Sequence, residues 1–141
     1  MIYGIGNDVL EIRRMHRLLS GRQAEALMKR IMTPAEREIA ARRGKRMAEF
    51  VSGRFAAKEA VSKAFGCGIG AVMGFTDIEV LPDPSGRPVA SLSSRAWERL
   101  QLPYDKQYEI HLSITHQTEL AAAFAIVEQV YEIDREKEEW K

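Results

Sequence analysis

The chain has 141 residues, 45% hydrophobic and 29% charged, a make-up that fits one globular domain and excludes collagen-like, disordered and disulfide-scaffold classes. No apolar run approaches the roughly 20 residues a membrane span needs, and the single Cys67 excludes an internal disulfide and a cysteine-bound metal cluster. The net charge of +1 hides an asymmetry: Arg13 to Arg46 holds 11 Lys or Arg against three acids, so this stretch carries +8 and the remainder −7.

Residues 2–9 read as a first strand, with Ile2, Ile5 and Val9 apolar and with Gly4 and Gly6 allowing close backbone approach. Asp8 stands at its end. Met1 leads into this strand without a basic segment, so no secretory signal is expected and a cytoplasmic location follows. Basic helices over 11–19 and 22–31 come next, broken near Ser20-Gly21; Met15, Leu18 and Leu19 form a core-facing stripe beside Arg13, Arg14 and Arg17. Such a segment suits nucleic acid, a phosphate ligand or an acidic protein, and also suits a solvated helix face.

Thr33-Pro34-Ala35-Glu36 starts a third helix, with Thr as N-cap, Pro at N1 and Glu completing a capping box, and Gly44 marks its end. A long helix over 46–65 follows, ended by Gly66 in the left-handed region. Phe55, Glu59, Ser62, Lys63 and Gly66 share one stripe of it at spacings of three and four. The stripe is too polar for a core seam. It suits a pocket for a cation and a polyanion, the carboxylate taking the metal and Lys63 with Arg54 the phosphate oxygens; an ordinary solvated Glu–Lys pair is the plain alternative.

The period then changes to two. Residues 76–81 alternate as a strand, 82–87 are turn chemistry, and 88–92 resume as a strand. A short helix spans 94–100. Strand 108–115 alternates Ile110, Leu112 and Ile114 against polar residues and leads to His116, and Leu120–Val127 is apolar on both faces, hence doubly covered or at an interface. The architecture expected is one α+β domain over 1–128, a mainly antiparallel sheet packed with a long central helix and shorter ones, followed by a charged extension, 129–141, helical or frayed. Asp8 and Glu59 are the natural metal pair, since Mg²⁺ binds through one or two carboxylates plus phosphates and water.

Taken in order, Gly4-Ile5-Gly6-Asn7-Asp8 with Glu11 and Arg14, Thr33-Pro34-Ala35-Glu36, Gly53-Arg54-Phe55-Ala56-Ala57-Lys58-Glu59-Ala60 with Lys63, Ala64 and Gly66, Asp77-Ile78-Glu79-Val80 with Gly86-Arg87-Pro88, and Ser113-Ile114-Thr115-His116 form a pattern. The chain resembles the holo-[acyl-carrier-protein] synthases, small bacterial 4′-phosphopantetheinyl transferases. The resemblance implies their fold and a Mg²⁺-dependent transfer of 4′-phosphopantetheine from coenzyme A to a serine of apo acyl carrier protein, releasing 3′,5′-ADP and supporting fatty acid biosynthesis. It implies that Asp8 and Glu59 hold the metal and act in catalysis, with Glu59 or a metal-bound water as general base. Arg46, Arg54, Lys63 and His116 would meet coenzyme A phosphates, and Gly86 to Pro88 the adenine end. Arg13, Arg14 and Arg17 would dock the acidic carrier protein, in a homotrimer whose active sites lie between subunits. Neither nucleic acid nor membrane is an expected partner. A basic RNA- or anion-binding module and a coenzyme A binder without turnover are the rivals; the strands carry no RNA-binding aromatic motif, and the presence of both carboxylates speaks for turnover. Gln117 stands where some relatives carry Asp and receives no role, and the resemblance does not reach the extension.

Overall fold

The computed structural model describes residues 1–130. In chain order it runs β1 (Ile2–Glu11), α1 (Ile12–Leu19), α2 (Ala24–Ile31), α3 (Pro34–Ala41), a 3-10 turn (Gly44–Arg46) and α4 (Met47–Ala64). A second 3-10 turn (Phe75–Asp77), β2 (Ile78–Pro82), β3 (Pro88–Leu92), α5 (Ser94–Leu100), β4 (Gln107–His116) and β5 (Leu120–Val130) complete it. The strands form an antiparallel sheet in the order β1-β5-β4 and a separate antiparallel β2-β3 hairpin, so the expected α+β architecture is the one observed.

The long helix lies against the sheet because two glycines permit it. Gly4 and Gly6 face α4 from β1, and a Cβ at either would stand 1.9 Å from the Ala64 carbonyl oxygen or 2.0 Å from that of Ala60. With Ala56, Ala57, Ala60 and Ala64 on the other side, backbone approaches backbone, and Ala123, Ala125 and Val127 of β5 close the same core. A second apolar cluster, with Met15, Ile31, Met32, Phe50 and Val51, joins the basic helices to α4. Helix α4 is thus enclosed almost all round, and what it leaves open is Lys63, with Met47, Glu49, Phe55 and Glu59 half-buried. Gly66 ends it at φ +82°, as expected.

Several element boundaries differ from the sequence reading, among them those of α1, α2 and α4 by one or two residues. Strand β1 extends to Glu11, so Asp8 lies within the strand instead of at its end. Residues 75–77 form a 3-10 turn ahead of β2, because the Asp77 carboxylate accepts from the Gly74 N–H, the Ser93 hydroxyl and Arg95. Strand β5 runs to Val130, two residues past the domain limit placed at 128, tied by the Gln129 N–H donating to the Met1 carbonyl (2.7 Å). The rest of the charged extension, 131–141, lies outside the described residues.

The capping box at Thr33 and Glu36 forms as read, but Glu36 does more than cap. Its carboxylate is fully buried against the equally buried Lys58 of α4, whose Nζ also donates to the Ile31 carbonyl (2.6 Å). Burial pulls the Lys58 pKa down, and the Glu36 charge beside it pushes back. Lys58→Met should strand a buried carboxylate and destabilise the protein by about 3–5 kcal/mol, whereas Glu36→Gln with Lys58→Met should recover much of that loss. Denaturant midpoints of the two variants check this; equal midpoints would refute it.

Candidate active site

The spacing of β1 builds one end of the site. Gly4, Gly6 and Asp8 are two apart and share the face turned to α4, so the contact that needs the glycines delivers the Asp8 carboxylate to the helix. There Lys63 Nζ donates to Asp8 Oδ1 (3.3 Å) and to the Asn7 carbonyl (3.1 Å). Glu59, one helical turn before Lys63, has its pKa raised, first by burial and then by the negative charge of Asp8, with Lys63 opposing. Two carboxylates and an ammonium from the first strand and the central helix are therefore in one place.

The other expected residues fall elsewhere on the same scaffold. His116, at the end of β4, packs on α4 at Gly53, where a Cβ would stand 2.6 Å from its Nε2, and its Nδ1 lies 3.7 Å from Glu49. Gly53 is six residues before Glu59, about 9 Å along the helix axis. Arg46 is exposed on the 3-10 turn that leads into α4. Arg13, Arg14 and Arg17 are exposed on α1, directly after β1, while Met15 alone of that turn is buried; Leu18, read as core, is 48% exposed.

Arg54 departs from expectation. It is buried, donates from Nε to the Val80 carbonyl (3.2 Å), and lies 4.3 Å from the centre of the Phe50 ring, which Arg43 approaches at 5.0 Å. Burial lowers its pKa, Glu36 raises it, and Arg43 lowers it. Nine residues at about 100° each put Arg54 and Lys63 on opposite sides of the helix, so they do not form the joint phosphate clamp read from the sequence.

Gly86, Arg87 and Pro88 sit at the tip of the β2-β3 hairpin, where the Asp83 carboxylate accepts from the Ser85 and Arg87 N–H groups. The Ser85 hydroxyl also donates to this carboxylate (2.6 Å), and that bond first, with the N–H bonds, holds the Asp83 pKa below its ordinary value. This tip borders a cleft of about 390 Å³ against Glu109–Leu112, which includes neither Asp8 nor Glu59. A second cleft, about 920 Å³ beside Trp97, Tyr104 and Tyr108, is also lined by neither carboxylate. Glu36, Arg43, Glu49 and Lys58 were not singled out from the sequence as site residues. Only the i, i+4 spacing of Arg54 and Lys58 hinted that both share the inner side of α4.

An α+β fold whose first strand and central helix unite Asp8, Glu59 and Lys63 defines a class, and the profile of the 4′-phosphopantetheinyl transferase superfamily matches residues 4–125. The chain belongs to that superfamily. Within it, the similarity is to holo-[acyl-carrier-protein] synthases: that of Bacillus cytotoxicus is 43% identical over 129 residues, 91% of this chain and 97% of the relative. The crystal structure of the Bacillus anthracis synthase in complex with coenzyme A (3′,5′-ADP) superposes with a TM-score of 0.73 at 41% identity, covering 90% of this chain and 96% of that one. The synthase of Neisseria meningitidis gives a TM-score of 0.80 at 32% identity, over 91% and 99%.

Proposed function

We propose that this chain transfers the 4′-phosphopantetheine group of coenzyme A to a serine of apo acyl carrier protein, releasing 3′,5′-ADP and supplying holo carrier for fatty acid biosynthesis in the cytoplasm. The observation that carries the reading is the convergence of Asp8, Glu59 and Lys63. The serine oxygen attacks the β-phosphorus of the pyrophosphate, the bond to the bridging oxygen breaks, and the nucleotide departs. Little covalent chemistry falls to the protein, so positioning and charge stabilisation do most of the catalysis.

Asp8 and Glu59 fit a Mg²⁺ ion. They offer hard oxygen donors, and their mutual repulsion, which contributes to the raised pKa of Glu59, is what a divalent cation would relieve. When bound, the ion neutralises charge on the pyrophosphate. The Lys63 ammonium, half-exposed, is placed to hold a non-bridging phosphate oxygen as a point charge. Glu59, which holds a proton more readily than an ordinary glutamate, is the group to accept the serine proton on a carboxylate oxygen. Arg46, Arg54 and His116, spread along α4 and its approach, suit the remaining phosphates of an extended donor.

The reading includes a homotrimer. Ile5, Val9 and Phe124 on the sheet face turned away from α4 are 60%, 61% and 45% exposed, an apolar surface that a lone subunit leaves wet. The hairpin tip at Gly86–Pro88, apart from the carboxylates of its own chain, would complete a neighbour's site. Incubation with apo carrier protein, coenzyme A and Mg²⁺ should add the phosphopantetheine mass to the carrier; no mass change would refute the activity, and transfer unaffected by a chelator would refute the metal.

Donor and acceptor contacts should separate. Lys63→Ala should raise the KM for coenzyme A by about tenfold, as expected for a charged hydrogen bond. Charge reversal at Arg14 or Arg17 should instead slow carrier association and flatten its salt dependence. Steady-state kinetics in each substrate check this, and Arg14→Glu impairing only coenzyme A use would invert the assignment.

A further inference from the structure

Lys58 and Glu36 are both fully buried, and the reaction as derived uses neither. Their bonds lead to a residue it does use. Lys58 Nζ donates to Glu36 Oε1, and Glu36 Oε2 accepts from the Val80 N–H (3.0 Å). The Val80 carbonyl accepts from Arg54 Nε (3.2 Å), and Arg54 stands four residues before Lys58 on α4. The circuit therefore closes: helix, carboxylate, one strand residue giving both of its backbone groups, guanidinium, and the same helix.

This circuit fixes a guanidinium in a place it would not otherwise keep. Arg54 is buried, and Arg43 shares its aromatic ring, so a second positive charge opposes it. The Val80 carbonyl and the nearby Glu36 carboxylate are what hold it there. Among the described residues Arg54 makes this one hydrogen bond, from Nε, which leaves its terminal amino groups for phosphate oxygens.

We propose that Glu36 and Lys58 are positioning residues for Arg54, setting through Val80 the place at which its guanidinium meets a phosphate of the coenzyme A donor. The inference rests on the donor reading given above. It makes the capping residue of α3 part of donor recognition, although it touches no substrate.

The test is a mutant cycle on the whole protein, with coenzyme A affinity measured by calorimetry and KM and kcat measured in the transfer assay. Arg54→Ala should weaken coenzyme A by about tenfold, the scale of a charged hydrogen bond. Glu36→Gln with Lys58→Met should weaken it severalfold, with kcat at saturating donor within about threefold of the parent. Adding Arg54→Ala to that pair should produce no further loss, because both act through one group. If the double variant fails to fold, Glu36→Gln with Lys58→Gln, which also leaves no lone buried charge, enters the same cycle. Additive losses, or a fall in kcat with donor affinity unchanged, would overturn the proposal and leave the pair as packing. Failure of the unmutated protein to bind coenzyme A would instead overturn the donor reading.

Discussion

Asp8→Ala and Glu59→Ala should each abolish most of the transfer while leaving the protein folded. Each variant removes a charged oxygen donor from the site, a loss on the order of 3–4 kcal/mol of barrier and a hundredfold to thousandfold in rate. Stability should move the other way for Glu59. Its folded pKa is raised, so between the ordinary glutamate value and the raised one the folded chain binds more protons than the unfolded chain. Stability is then lost as pH rises through that window, and above it the ionised Glu59 is a destabilising element. Glu59→Gln should therefore unfold at the same or a higher denaturant concentration than the parent near neutral pH, while losing activity. Kinetics at limiting Mg²⁺ with parallel denaturation curves check both halves. Near-normal turnover by both the Asp8 and Glu59 variants would remove these residues from the site.

A charge on the outward sheet face should dissolve the assembly and the activity together. Val9→Glu or Phe124→Glu would place a carboxylate where the trimer reading requires an apolar contact, and burying an unpaired charge costs several kcal/mol per subunit. Sedimentation should show monomers of retained secondary structure and little transfer activity. A mixing experiment tests whether sites are shared: a Glu59→Ala chain combined with one altered at Arg87 and Pro88 should regain partial activity, since some sites draw intact halves from two chains. A monomeric parent with full activity, or mixtures that remain dead, would refute the shared site.

Much of the site was legible because its determinants are local. The stripe of Phe55, Glu59 and Lys63 follows from helical period alone, and these residues are among those that α4 leaves open or half-buried. The Thr33-Glu36 capping box and the Gly66 terminus are also short-range signals, and both formed. The pairing of Arg54 with Lys63 failed by the same arithmetic, since nine residues is half a rotation off. Lys58 could not be read from its neighbours: its partner Glu36 is 22 residues away, and burial of both charges depends on α2, α3 and β2 closing over α4.

By itself, then, the sequence determined where helices start and stop, which strand residues share a face, and that carboxylates sit at residues 8 and 59. These are consequences of backbone period, caps and glycine, each acting over a few residues. The tertiary structure decided which of those faces meet. Backbone contact of Gly4 and Gly6 with Ala64 and Ala60 brought Asp8 to Glu59 and Lys63, and the Val80 edge drew Arg54 inward to Phe50 and Glu36. The reason is physical: a side chain's charge environment is set by groups that packing brings near it, and those groups are tens of residues distant along the chain.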